Sequence, residues 1–109
     1  MTAEPLEVDL ATFAEVHASG ATVLDVRNPD EYRAAHVPGA VLIPLQELAA
    51  RQHEIPQGDP LYVICAVGAR SLTAARALVQ AGYRAVSVAG GTNGWIEQGG
   101  DVITGDSAF

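Results

Sequence analysis

Lysine does not occur in this chain, and its six basic residues are all arginines, at positions 27, 33, 51, 70, 76 and 84. Set against 13 acidic residues they leave a formal net charge of −7. That balance argues against nucleic acid as a partner, because neutralising phosphates takes clustered cations. Cysteine occurs once, at Cys65. A single thiol forms no intrachain disulfide and cannot build a thiolate zinc site. His17, His36 and His53 are scattered, so no metal motif is visible and neither metal nor cofactor is expected. No apolar run approaches the length needed to span a bilayer, which removes the membrane from the expected partners. The N-terminal "MTAEPLEVDL" lacks a basic segment followed by an apolar one, so the expected location is the cytoplasm.

What remains is the material of a globular domain. Hydrophobic residues make up 49% of the 109 positions and charged ones 17%, enough apolar content for a core without staples. One domain over residues 1–109 is expected, with its core at about 6–100 and a short C-terminal tail. Strand-like runs alternate with helix-like ones, the pattern of an α/β fold on a mostly parallel sheet.

The strand candidates are 6–8, 21–27, 40–45, 61–65 and 85–89. The helix candidates begin with the stretch after Asp9, a suitable N-cap, which Gly20 stops. Residues 28–36 have Asn28 as cap and Pro29 at the first helical position. In 45–53, Leu45, Leu48, Ala49 and Gln52 share a face. Residues 71–82 place Leu72, Ala75, Leu78 and Val79 on one side, with Ser71 the expected N-cap and Gly82 the stop. "GGTNGWIEQGG" reads as a short last helix, and "DVITGDSAF" as an edge strand or a loose tail.

Ligands of open α/β sheets lie beyond the carboxyl ends of the strands. Cys65 ends the 61–65 strand there, and the strand carrying Asp25 ends nearby. The loop "CAVGARS" (65–71) holds what a reactive thiolate requires. An ordinary thiol titrates at about 8.5, and a helix N-terminus with unpaired amides favours the anion. Gly68 permits a positive φ, so that successive amides curl inward as an anion nest. Arg70 supplies a positive charge or a tether. The alternative reading is that Cys65 is a small buried hydrophobe near a turn, as free cysteines often are.

Three stretches together resemble the rhodanese (sulfurtransferase) family in its single-domain form. They are "LDVRNPDEYRAAHVPGAVLIPL" (24–45), "CAVGARS" (65–71) and "VAGGTNGW" (88–95), in the family's order and spacing across almost the whole chain. Ala35 stands where the family usually has Gly before the His, and Gly94 where Ala is frequent. The resemblance implies a three-layer α/β/α fold with a central five-stranded, mostly parallel sheet. It implies a thiosulfate sulfurtransferase-type reaction through a Cys65 persulfide. Sulfane sulfur would come from thiosulfate or a persulfide and go to cyanide, a thiol or a protein. Ala66, Val67, Gly68, Ala69, Arg70 and Ser71 would form the persulfide-binding loop, with Asp25 and Arg27 in support.

Phosphatase and arsenate-reductase relatives of this fold resemble C-x5-R. Here only four residues separate Cys65 from Arg70, a narrower cradle that favours one sulfur atom over a phosphate. A non-catalytic or persulfide-carrying binding module is the other alternative, and such modules often lack the cysteine. An Arg27–Glu31 or Asp25–Arg70 ion pair is expected to be structural. His36 is expected to bond backbone at the "HVPGA" turn, Tyr32 and Trp95 to anchor the core, and Gly90 and Gly91 to let backbone pass close to the loop.

Overall fold

The computed structural model describes residues 6–109; the reading of the N-terminus as free of a leader rests partly on residues 1–5 and lies outside them. Five strands form one sheet, β1 (Glu7–Val8), β2 (Thr22–Asp25), β3 (Val41–Leu42), β4 (Leu61–Ile64) and β5 (Ala85–Val88). Their order is β1-β5-β4-β2-β3, and every pairing is parallel. β4 and β5 are buried at every position and β2 at three of its four, as expected of parallel strands covered on both faces. The four helices are α1 (Leu10–Ala18), α2 (Pro29–Ala34), α3 (Ala69–Gln80) and α4 (Gly91–Glu97). None is long and apolar enough to cross a membrane.

Two cores lie on the two faces of the sheet. One joins Leu24, Val63 and Leu61 to Ala74, Ala75 and Leu78 of α3. The other joins Val23, Ile64 and Val88 to Phe13 of α1, Tyr32 of α2 and Trp95 of α4. Phe13 packs edge-on to Trp95 at 5.4 Å between ring centres, so α1 and α4 are held together by aromatic contact.

Helix starts follow local chemistry. Asp9 caps α1, its carboxylate accepting from the Thr12 amide at 2.8 Å. Asn28 precedes Pro29, and Glu31 reaches back to accept from the Asn28 amide at 3.0 Å. Two expectations fail. The helix expected over 45–53 is two single 3-10 turns, Leu45–Glu47 and Gln52–Glu54. Of its apolar face only Leu48 is buried, while Ala49 and Gln52 are exposed, so too little area is buried to propagate a helix. The tail joins no sheet. It is tied by an antiparallel bridge, His36 to Ile103, whose amides exchange bonds of 2.9 Å each, and by the Gly39 and Gly105 amides, which donate to the Ala108 and Arg33 carbonyls at 2.8 Å.

Tyr32 and Trp95 anchor the core as expected, and His36 bonds backbone, but of α2 and the tail rather than of its own turn. His36 is fully buried, its two ring nitrogens each 2.8 Å from a carbonyl oxygen, of Tyr32 and of Ser107. The Tyr32 hydroxyl donates to the Ala40 carbonyl. The Trp95 indole donates to the Asp101 carbonyl at 2.7 Å.

Candidate active site

Ser71 is not the cap of α3. Gly68 takes that position, with φ +114°, and the helix begins at Ala69. A side chain at Gly68 would meet no atom closer than 3.5 Å, so backbone conformation rather than space calls for glycine here. Starting the helix earlier moves Ser71 into its first turn, where it faces the sulfur.

Cys65 follows the last residue of β4 and is 1% exposed. The Gly68 amide donates to its Sγ at 3.1 Å, and Ser71 Oγ lies 3.4 Å away. Burial pushes the thiol pKa up. Hydrogen bonding from the Ser71 hydroxyl and from the amides of Ser71, Gly68 and Val67 outweighs it, leaving the pKa below that of an ordinary thiol. A loop of this kind places several donors on one acceptor, which is how a buried anion is held.

The loop is clamped from behind by the start of α4. The Thr92 amide donates to the Cys65 carbonyl at 2.8 Å, and the Asn93 amide to the Ala66 carbonyl at 3.0 Å. With their carbonyls held outward, the loop amides are free to face the sulfur. This approach requires Gly91, whose φ is +60° and whose Cβ would sit 2.5 Å from the Ala66 oxygen. Gly91→Ala should therefore cost about 1–3 kcal/mol in backbone strain, with the clash in addition. Gly68→Ala should cost the strain alone. Urea titration of both checks this, and equal midpoints would contradict the clamp.

The two arginines near the site are both committed. Arg27 is 5% exposed; its Nη2 donates to Asp25 Oδ2 at 2.8 Å and to the Ala35 carbonyl at 2.8 Å, and its Nε to Asp25 Oδ1 at 3.0 Å. Arg70 forms a two-pronged pair with Glu31, at 2.8 and 2.9 Å. The pairings expected from sequence, Arg27–Glu31 and Asp25–Arg70, are thus exchanged. Arg70 as the first cause, partly opposed by burial, takes Glu31 down to about 2. A carboxylate lowered in the fold stabilises it above its unfolded pKa of about 4.3, and that contribution is lost as pH falls through about 2. The tether of Arg70 to α2 therefore stays ionised far below neutral pH.

Four residues separate Cys65 from Arg70, in a loop at the carboxyl end of a central parallel strand. The rhodanese-like domain model matches residues 10–98. This chain belongs to the rhodanese-like domain family. Among curated rhodanese relatives, the putative sulfur carrier protein YrkF of Bacillus subtilis (strain 168) is 39% identical over 92 residues. That match takes in 82% of this chain but only 50% of the Bacillus protein, so this chain spans about half of it. A sulfurtransferase of Allochromatium vinosum is 31% identical over 100 residues, covering 89% of this chain and 94% of that one. Among solved structures, a rhodanese-related protein from Thermoplasma volcanium superposes with a TM-score of 0.81 at 35% identity. It covers 89% of this chain and 96% of its own. The names of the Bacillus and Allochromatium relatives refer to sulfur carriage and to sulfur transfer.

Four participants in these roles escape a reading of the sequence. Glu31, the partner of Arg70, lies 39 residues away along the chain. Ser87, whose hydroxyl lies 2.7 Å from Ser71 Oγ, is one polar position in an apolar strand, the one signal available. The Thr92 and Asn93 amides carry no side-chain signal at all.

Proposed function

We propose that the protein moves a sulfane sulfur from a persulfide donor to a thiophilic acceptor through a persulfide on Cys65. The observation that carries this reading is the Cys65 sulfur, held by the Gly68 amide at 3.1 Å inside a short, amide-lined loop. Cys65 Sγ attacks the outer sulfur of the donor; its S–S bond breaks, and a thiolate leaves, or sulfite when the donor is thiosulfate. The Cys65 persulfide anion then faces the loop amides of residues 66–71 in place of the thiolate, a preformed cradle of oxyanion-hole type. A nucleophilic acceptor attacks the outer sulfur, the S–S bond breaks again, and the Cys65 thiolate returns. With no second cysteine in the chain, discharge goes to an external acceptor: cyanide, a small thiol or a protein. A reducing compartment such as the cytoplasm keeps Cys65 available as the free thiol.

Charge and shape favour a persulfide over thiosulfate. Arg27 and Arg70 are each neutralised by a carboxylate, and Ala66, Val67 and Ala69 bring no cation to the loop. Val67 stands 62% exposed at its tip. A dianion approaching a protein of net charge −7 gains no steering. Near-complete enclosure of Cys65 suits a terminal sulfur, one atom wide, better than a tetrahedral phosphate, which disfavours the phosphatase alternative. Sulfur carriage, the role in the Bacillus relative's name, shares the first half-reaction.

Intact-mass measurement tests this. After incubation with a low-mass persulfide the protein should gain one sulfur atom, and cyanide should remove it. Steady-state kinetics should then give a higher kcat/KM for the persulfide than for thiosulfate. No mass gain sinks the transfer reading, and a kcat/KM that favours thiosulfate sinks the choice of donor.

A further inference from the structure

Beneath the loop, two hydroxyls form a line with the sulfur. Ser71 Oγ lies 3.4 Å from Cys65 Sγ and 2.7 Å from Ser87 Oγ. Both serines are fully buried, where a hydroxyl needs a partner. Ser87 belongs to β5, in register with Val63 of β4, two residues before Cys65. Among the described residues Ser71 is the one hydrogen-bond partner of its hydroxyl. Ser71 has a further neighbour, the Gly68 carbonyl, at 3.2 Å.

A hydroxyl has one proton to give and two lone pairs to receive with. While Cys65 is a thiol, its S–H donates to Ser71 Oγ, and Ser71 gives its own proton to the Gly68 carbonyl or to Ser87. Once Cys65 is a thiolate, Sγ only accepts, and the line must run the other way. Ser71 then turns its proton to the sulfur, and its free lone pair faces Ser87. We propose that Ser87 is a positioning residue, whose hydroxyl donates to Ser71 Oγ and so commits the Ser71 proton to Cys65 Sγ. Donation from Ser87 also polarises the Ser71 O–H, since chained hydrogen bonds strengthen one another. Ser87 does not touch the sulfur and acts on it only through Ser71.

The charged groups around the loop are few. Arg70 of α3 interacts with the Cys65 charge and with Asp25 at the end of β2. Glu31 of α2 engages Arg70, and Arg27 acts on Glu31. From β5 and the first turn of α4 come Ser87, Thr92 and Asn93, none of them charged. Removing the Ser87 hydroxyl therefore alters one hydrogen bond and no ion pair.

Cys65 is the only thiol, so far-ultraviolet thiolate absorbance titrates it alone, with Cys65→Ser as the blank. The inference rests on Cys65 being the reactive group proposed above. The titration uses no sulfur donor, so failure of the relay and failure of transfer show in different experiments. The wild-type midpoint should lie below that of an ordinary thiol. Ser87→Ala should raise it by about half a unit to one unit, the size of one neutral hydrogen bond. Ser71→Ala should raise it at least as far, and adding Ser87→Ala to Ser71→Ala should change nothing more. Ser87→Thr and Ser87→Val are matched in shape, and only Val should reproduce the rise. An unchanged midpoint in both Ser87→Ala and Ser87→Val would overturn the proposal. So would an equal rise from Ser87→Ala in the Ser71→Ala background.

Discussion

Cys65→Ser should take sulfur transfer down to the uncatalysed rate while leaving the fold standing. The change replaces one atom, and serine fits the enclosed position at the end of β4 without a new clash. Its hydroxyl can still accept from the Gly68 amide, which reaches the present sulfur at 3.1 Å. The loss is one of chemistry. A serine hydroxyl does not ionise under conditions where a thiol does, and no histidine is placed to activate it: His36 is bonded to the Tyr32 and Ser107 carbonyls. Removing the nucleophile of a covalent mechanism costs on the order of 10⁴–10⁶ in rate. Thiocyanate formation from cyanide and a persulfide measures the rate, and intact mass after donor treatment shows whether sulfur is still taken up. Thermal melting should place the variant within about 1 kcal/mol of wild type. Turnover within tenfold of wild type, or a surviving gain of one sulfur, would remove Cys65 from the mechanism.

The strand that delivers this cysteine, and the helix that follows, are legible because each depends on local pattern. An apolar run with no polar alternation, "LYVI", can only be buried on both faces, and α3 has its apolar positions at helical spacing. The 45–53 stretch shows where periodicity stops being enough. Leu45, Leu48 and Ala49 have the spacing, but Pro44 enters with its chain tied just beyond the end of β2, the Leu45 amide donating to the Val26 carbonyl at 3.0 Å. The segment then has to travel to Ile55 with one buried leucine between.

Ser71 was misplaced for a subtler reason. Serine is a good cap, but a glycine at φ +114° can open a helix three residues sooner, and no propensity scale separates the two. The consequence is functional, because the first-turn position brings the Ser71 hydroxyl to 3.4 Å from Cys65 Sγ. Which carboxylate takes which arginine was equally hidden. Asp25 and Arg27 are two apart at a strand end where the chain turns, so both the Arg27 amide and its guanidinium fold back onto Asp25 Oδ1, each at 3.0 Å. That leaves Glu31, half-buried on α2, to meet Arg70 from α3.

The Asp25–Arg27 pair is where the largest loss of stability is expected. Asp25 is wholly buried and Arg27 nearly so, and the Asp25 carboxylate takes one backbone and three guanidinium contacts from the same residue. Asp25→Ala leaves the guanidinium in the interior with only the Ala35 carbonyl for company. Breaking a buried pair from one side costs about 3–5 kcal/mol, a large part of the 5–15 kcal/mol that holds a typical domain together. The urea midpoint should fall accordingly, and Arg27→Ala, which strips the buried carboxylate of its partner, should lower it as well. Replacing both with apolar residues of similar volume, Asp25→Leu with Arg27→Met, should recover most of the loss. The double variant also separates structure from chemistry. A pair that only braces the end of β2 leaves sulfur transfer in the refolded double variant near wild type. If transfer fails while stability returns, the charges themselves act on Cys65, and the bracing role assigned to Asp25 and Arg27 is wrong.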